Sequence, residues 1–206
     1  MSSEVKYDAM IIGLGPSALS AGMYLADGGL RTLMIGEQRS QMYAAFVDNY
    51  LGFPEGFDGP ELLELGLEQI KQRDVQIYED KISEIKYYDS HIEVICGEGS
   101  YIANKLILAC GQGAGMKCAE ISGVNLEEHN EPYTQKKITI DENCKTSIPN
   151  VYATGTAAGV SSQAIIAAGH GAQTALNVLS DLHGERITFH KNIGYQEELQ
   201  KVESGG

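Results

Sequence analysis

The stretch KYDAMIIGLGPSALSAGMYLA, residues 6–26, decides the fold. Its first seven residues are a short run rich in β-formers, which predicts a strand. From Pro16 to Ala26, small and apolar residues recur at helical spacing, which predicts a helix packed through one face. Gly13 and Gly15 lie between the two elements. Strand, glycine turn and helix in this order are typical of a dinucleotide-binding unit, so we expect an α/β, Rossmann-like fold.

The residues of this turn have expected roles in holding a pyrophosphate. Gly13 permits the tight turn, Gly15 lets the backbone approach the phosphates, and Ala18 is the small residue where helix packs on strand. The helix begins at Pro16 and Ser17, where main-chain N–H groups without helical partners attract anions. The alternative is a glycine turn that merely joins a strand to a helix.

A second strand is predicted over residues 31–35, and Glu37 follows it. A carboxylate at this distance from the glycine turn can bind the hydroxyl groups of a ribose. Its negative charge also disfavours a phosphorylated ribose. Alternatively, Glu37 is a solvated turn residue.

Further motifs run through the rest of the chain. They are VDNYLGFP at 47–54, FDGPEL at 57–62, LILACG at 106–111, TSIPNVYATG at 146–155 and QAIIAAG at 163–169. Together with the opening turn, and in the same order, they resemble the FAD domain of the thioredoxin reductase family. The resemblance implies that the cofactor is FAD rather than NAD. It also implies one three-layer FAD-binding domain over residues 1–206.

The resemblance implies further cofactor contacts. The segment ending at Gly155 passes the ribityl chain and ring of the flavin, and the helix starting near Gln163 points its positive end at the ring, which stabilises a reduced flavin. Gln41 and Asn49 are either polar neighbours of the ring or ordinary loop residues. The residues expected at the cofactor are Gly13, Gly15, Pro16, Ser17, Ala18, Glu37, Gln41, Asn49, Ile82, Ala109, Cys110, Gly111, Gly155, Thr156, Gln163 and Ala164.

The chain departs from the family between its two FAD-binding segments, 1–112 and 138–184. There the family inserts an NADPH-binding domain with its own glycine fingerprint and a Cys-x-x-Cys pair. The connection here is too short for a βαβ unit, which takes roughly thirty residues or more. The sequence GQGAG at 111–115 is not followed by a long helical pattern or an acidic strand end. We interpret it as the Thr-Gly turn of the family with Cys110 in place of threonine.

Another departure lies at Thr156, where the family carries an aspartate that binds a ribityl hydroxyl. Threonine offers a hydroxyl but no carboxylate. Losing a hydrogen bond to a charged group costs about 1.5–3 kcal/mol, so we expect weaker FAD binding than in the family.

None of the four cysteines forms a Cys-x-x-Cys pair. We expect free thiols in a reducing cytoplasm, without a role in electron transfer. A pair of Cys110 with Cys118 across the glycine-rich loop is the alternative. The five histidines lack metal-ligand spacing with cysteines or carboxylates, so no metal is predicted.

Composition limits the partners. The net charge of −13 argues against nucleic acid and anionic membranes and favours basic partners. No apolar run approaches the roughly 18 residues of a membrane span, and the N-terminus lacks the pattern of a signal peptide. We therefore expect a cytoplasmic protein.

The remaining patterns predict the other elements of the fold. Helices are expected at 61–73 and 163–182, main-sheet strands at 75–78, 105–109, 138–141 and 151–153, a small antiparallel meander at 82–88, 91–96 and 100–102, and a polar tail at 185–206.

Three functions agree with these features. The first is an FAD-dependent oxidoreductase that receives electrons from a separate protein or small reductant, because it lacks its own nicotinamide domain. The second is a non-catalytic flavin-binding sensor, carrier or complex subunit, and the third is an interaction protein that no longer holds flavin well. Without the inserted domain the flavin face is exposed, which predicts a redox partner or self-association there, such as a homodimer.

Overall fold

The computed structural model describes residues 6–97, 99–132 and 134–189. Its helices are α1 (Pro16–Asp27), α2 (Gly59–Lys71), α3 (Met116–Ser122) and α4 (Ala164–His183). Its strands are β1 (Lys6–Ile12), β2 (Thr32–Gly36), β3 (Phe46–Val47), β4 (Phe57–Asp58), β5 (Gln76–Glu79), β6 (Ile82–Tyr87), β7 (Ile92–Cys96), β8 (Ser100–Leu108), β9 (Leu126–Glu131), β10 (Thr134–Ile138) and β11 (Val151–Ala153). Short 3-10 turns span Gln41–Ala44, Gly113–Gly115 and Gly155–Ala158.

A mixed seven-stranded sheet forms the middle layer, in the order β5-β2-β1-β8-β7-β6 with β11 also paired to β8. The strands β2, β1, β8 and β11 run parallel, as expected for a dinucleotide-binding unit. β6 and β7 continue into the start of β8 as an antiparallel meander. The predicted α/β fold with a small meander is therefore confirmed.

The two strands predicted at 100–102 and 105–109 are in fact one continuous strand, β8. Its second edge pairs with β7 at residues 100–103 and with β11 at residues 106–108. The separate strands were wrong because Ala103 and Asn104, which were left out of both predictions, continue the same strand. Lys105, inside this strand, is buried. Its charge is compensated, because its Nζ lies 2.6 Å from Asp181 Oδ2.

The main-sheet strand predicted at 138–141 is also wrong. β10 ends at Ile138 and pairs with β9 in a separate two-stranded sheet. β9 has the sequence LEEHNE, so no apolar alternation marks it. Charge complementarity supports this hairpin, because Lys137 Nζ lies 3.0 Å from Glu127 Oε1.

Buried side chains fill both faces of the sheet, which makes three layers. Met10 and Ile12 of β1 point towards the meander and α3, whereas Ile11 points towards the helices α1, α2 and α4. α1 and α4 pack so closely that a Cβ on Gly171 would overlap the Ser17 carbonyl oxygen. This contact sets the first turn of α1 directly against α4.

A partly buried ionic network fixes the C-terminal part of α4. Asp181 accepts hydrogen bonds from Lys105 at 2.6 Å, from Tyr152 at 2.8 Å and from Lys145. Lys105 also donates to Asn150 Oδ1 at 2.8 Å. The two ammonium groups hold the pKa of Asp181 well below its usual range. α4 is thereby tied to β8 and to the start of β11.

The C-terminal segment begins by folding back on the helices. Ile187 N–H donates to Ser180 Oγ at 2.9 Å, and the ring of Phe189 lies 5.9 Å from that of Tyr24. Residues 190–206 of the predicted polar tail lie outside the described residues. Among the residues that the structure does describe, no helix combines the length and the apolarity that a membrane crossing requires.

Candidate functional site

The glycine turn after β1 lies where the carboxyl ends of the parallel strands meet. Gly13 has φ +131°, and a Cβ there would overlap the carbonyl oxygen of Ala109, the residue after β8. Gly36, at the end of β2, also lies close to this turn: a Cβ there would lie 3.0 Å from the Cα of Gly13. The ends of β1, β2 and β8 therefore come so close that their backbones are in contact. Only glycine at position 13 permits this approach.

Gly15 differs from Gly13 because the protein itself does not require a glycine there. Its φ of −84° and ψ of −178° suit any residue, and a Cβ would meet only Ser40 Oγ, at 3.6 Å. The space over Gly15 is therefore open. Directly after it, α1 begins with a proline and without a side-chain cap. Its free N–H groups leave this opening suited to an anion.

The turn after β11 meets the first turn of α1. Gly155 has φ +66°, and a Cβ on it would overlap Ser17 Oγ. A Cβ on Gly111 would lie 4.0 Å from Thr156 Oγ1. The structure thus brings together three predicted pieces that are distant in sequence: the opening turn, the turn at Cys110 and Gly111, and the turn at Gly155 and Thr156.

A row of amide side chains links the loops beside these turns. Gln112 Nε2 donates to Gln41 Oε1 at 2.9 Å and to Ser162 Oγ at 3.2 Å. Asn49 Nδ2 donates to Gln163 Oε1 at 2.8 Å, directly before α4. Gln41, Asn49 and Gln163 were predicted, whereas Gln112 and Ser162 were missed. No motif marks either of them in the sequence, beyond the position of Gln112 directly after the Cys-Gly turn.

α4 begins beside this row. Its first residue is Ala164, and it has neither a side-chain cap nor an acidic residue in its first turn. The positive end of a 20-residue helix is therefore left uncompensated at the same edge.

The side chains of two other predicted residues make their contacts elsewhere. Glu37 follows β2, and its Oε1 lies 3.1 Å from Arg39 Nη2 in an exposed ion pair. Ile82 is buried at the start of β6, opposite Cys96, and its side chain belongs to the core. A cofactor contact at Ile82 would therefore fall to its main chain.

Two of the four free cysteines contact each other. The thiols of Cys110 and Cys118 interact, which lowers the pKa of Cys110 and raises that of Cys118. Burial raises the pKa of Cys96 to about 11. The glycine-rich loop between the two cysteines brings them together. It folds back so tightly that a Cβ on Gly115 would overlap the carbonyl oxygen of Cys110. Within the described ranges, no three His, Cys, Asp or Glu side chains gather as a metal site.

Comparisons with known proteins agree with this geometry. Residues 55–171 match the family model described as pyridine nucleotide-disulphide oxidoreductase. The thioredoxin reductase of Treponema pallidum is 33% identical over 111 residues, which are 52% of this chain and 36% of that protein. The thioredoxin reductase of Peptoclostridium acidaminophilum is 38% identical over 112 residues, covering 52% of this chain and 35% of that protein. The chain thus matches only about a third of these relatives' length.

The fold has a solved counterpart. A thioredoxin reductase structure from Gloeobacter violaceus superposes with a TM-score of 0.75 at 14% identity, covering 92% of this chain and 100% of that one. That likeness concerns the fold alone. The family match covers more than half of the residues, from 55 to 171. The chain belongs to the pyridine nucleotide-disulphide oxidoreductase family.

Proposed function

We propose that the chain binds FAD and acts as an oxidoreductase that takes its electrons from a separate protein or a small reductant. One observation carries the proposal: the glycine turn after β1 and the Gly155–Thr156 turn meet at one sheet edge, beside open space over Gly15. This is where a dinucleotide binds in an open parallel sheet.

The residues present fit this cofactor. The free N–H groups at the start of α1 face the opening over Gly15 and suit a pyrophosphate. Glu37 offers a carboxylate to the ribose, and Thr156 offers a hydroxyl to the ribityl chain. The uncapped start of α4 favours negative charge on the reduced ring. When bound, FAD would supply the electron-transfer chemistry, while these residues bind and orient it.

A separate electron source is part of the proposal because the connection between β8 and β11 is short. It holds the seven-residue helix α3 and the β9–β10 hairpin, where the family's NADPH-binding domain would stand. The GQGAG turn leads into this short helix, which offers little support for a second nucleotide. We therefore propose that NADPH is not bound beside the flavin by this segment.

Exposed apolar side chains favour a second candidate, a non-catalytic flavin-binding subunit, sensor or carrier. Leu51 is 86% exposed and Phe46 63% exposed, and Ile165 lines a groove with residues 48–54 at the start of α4. A surface of this kind suits a partner protein or a second copy of the chain. Turnover of a bound flavin by an added reductant would distinguish the oxidoreductase from the non-catalytic subunit, sensor or carrier.

FAD titration of glycine variants tests the proposed function. Gly15→Val should weaken FAD binding at least about tenfold, equal to about 1.4 kcal/mol, because its side chain fills the space of the pyrophosphate. Gly99→Val is the control, since a Cβ there meets nothing within 4 Å and the residue lies away from the glycine turns. Both variants should remain folded. Unchanged FAD affinity in Gly15→Val, or no FAD binding by the wild type, contradicts the proposal. Fast flavin reduction by stoichiometric NADPH without oxygen contradicts the separate electron source.

A further inference from the structure

A histidine of α4 stands directly behind the turn at Gly155. The main-chain N–H of Gly155 donates to His170 Nδ1 at 3.0 Å. An amide nitrogen can only donate here, so Nδ1 must carry a lone pair and the ring proton must sit on Nε2. The hydroxyl of Thr154, which is fully buried, lies 3.1 Å from the same Nδ1 and donates to it as well.

The other side of the ring is also occupied. His170 Nε2 lies 3.6 Å from Cys144 Sγ, and Asn177 Nδ2 donates to the same sulfur at 3.7 Å. Cys144 is buried and adopts φ +64°, an unusual conformation for a residue other than glycine. Thr174 Oγ1 donates to the His170 carbonyl at 2.8 Å and fixes this part of the helix. The imidazole is therefore held in one orientation and one tautomer.

We propose that neutral His170 is a positioning residue for the cofactor: its ring holds the Gly155–Thr156 turn in the conformation that binds FAD. When the ring is protonated, it releases this turn. The inference rests on the proposed FAD function. A proton on Nδ1 would face the N–H of Gly155, so the hydrogen bond at 3.0 Å would become a contact between two donors. Thr154 would lose its acceptor in the same step.

The groups that face the ring do not compensate such a charge. β11 and the turn after it contribute Thr154 and Gly155, and the segment before β11 contributes Cys144. From α4, Thr174 contacts the His170 carbonyl and Asn177 contacts the Cys144 sulfur. Among these groups the titratable one is Cys144, and burial raises its pKa, which keeps the thiol neutral. Asp141 acts on Cys144 rather than on the ring. Burial lowers the pKa of His170, in agreement with a neutral ring.

FAD dissociation constants from pH 7.5 to pH 5 test the inference. Protonation of cofactor-free protein competes with binding, so the wild type should lose affinity as the pH falls. A histidine with the ordinary pKa of about 6.5 would give a loss of about 30-fold at pH 5. The lowered pKa of His170 makes the expected loss smaller and moves it to lower pH.

Three variants sharpen this measurement. His170→Asn places an oxygen acceptor near the position of Nδ1 that does not titrate in this range, so it should bind FAD without the acid loss. His170→Leu removes the acceptor and should bind more weakly at every pH. His183→Asn, at the exposed end of the same helix, should keep the wild-type profile. Thermal unfolding checks that each variant folds, and if His170→Leu does not, the contrast between wild type and His170→Asn decides.

The outcomes are distinct. A flat wild-type profile, an acid loss that persists in His170→Asn, or wild-type affinity in a folded His170→Leu overturns the inference while FAD binding stands. No FAD binding at any pH overturns the proposed function and this inference with it. Nitrogen-15 NMR of the cofactor-free protein gives a second readout: Nδ1 should lack a proton at pH 7.5, and a protonated Nδ1 overturns the inference.

Discussion

The two ends of α4 are held in opposite ways. Near its C-terminus, Asp181 joins Lys105 and Tyr152 in a network of short hydrogen bonds. At its N-terminus the helix has no side-chain cap, and its first turn exposes Ile165 and Ile166. Directly before this end, Asn49 Nδ2 donates a hydrogen bond to Gln163 Oε1 at 2.8 Å. One helix is therefore anchored at one end and open at the other.

This difference separates stability from binding. The anchor end pairs the buried charge of Lys105, which is costly to leave without a partner, and lies beside the sheet away from the glycine turns. The open end uses backbone N–H groups and glycine conformations, which add little stability but leave room for a ligand. Substitutions at the anchor should change the free energy of unfolding and spare cofactor binding, and a substitution at Gly15, where the fold itself does not require glycine, should do the reverse.

The largest effect is expected at the anchor. Asp181→Asn removes the charge that faces Lys105, whose side chain is 10% exposed, and should cost about 3 kcal/mol of unfolding free energy. Asp27→Asn is the control, because it breaks a more exposed pair with Arg73 and should cost at most about 1 kcal/mol. Urea unfolding measures both. Equal losses in the two variants, or a large loss of FAD affinity in Asp181→Asn, would break the proposed separation.

The same network predicts a pH dependence. The pKa of Asp181 is lower in the folded than in the unfolded protein, first because of Lys105 and then of Lys145. Its stabilisation is therefore complete above the unfolded pKa of about 3.9 and is lost as the pH falls below it. The stability gap between wild type and Asp181→Asn should be constant from pH 5 to 8 and shrink below about pH 4. A gap that widens in acid contradicts the assignment.

The next effect concerns the contact between α4 and α1. Gly171→Ala pushes a methyl group onto the Ser17 carbonyl and should destabilise the protein by about 1–3 kcal/mol. Gly169→Ala, one half-turn away with nothing within 4 Å of its Cβ, should stabilise the helix by up to about 1 kcal/mol. Because Ser17 lies in the first turn of α1, Gly171→Ala should also weaken FAD binding. Opposite signs in urea unfolding sharpen the comparison, and equal signs contradict it.

The local elements of this fold were largely readable from the sequence. β1 has its predicted bounds, and α1 and α4 shift by about one residue at their ends. Apolar periodicity works there because each element buries one continuous face. It failed at Ala103 and Asn104, which continue β8 between the two predicted strands, and at β9, a charged strand in which no residue is buried.

The candidate site was predictable only in part. The glycine turns were found because their conformations restrict the residue type, as at Gly13 and Gly155. Gln112 and His170 were missed, since an amide or an imidazole acquires its role from neighbours far away in sequence. Gln112 reaches Gln41, and His170 reaches Gly155. Such roles depend on tertiary contacts that no local pattern encodes.

The smallest effect, on the rate of flavin reduction, is expected from the thiol pair. Its variants test whether Cys110 and Cys118 take part in the function of the site at the open end of α4. We expect the anaerobic rate of flavin reduction by dithiothreitol to be unchanged in Cys110→Ser and in Cys118→Ala, because neither thiol is part of a Cys-x-x-Cys pair. Alkylation should still distinguish the two. The Cys118 thiol lowers the pKa of Cys110, so Cys110 should react first with iodoacetamide, and Cys118→Ala should slow that reaction. A slower flavin reduction in either variant, with FAD still bound, would instead make the thiol pair part of the electron path. The functional site would then extend from the glycine turns to α3.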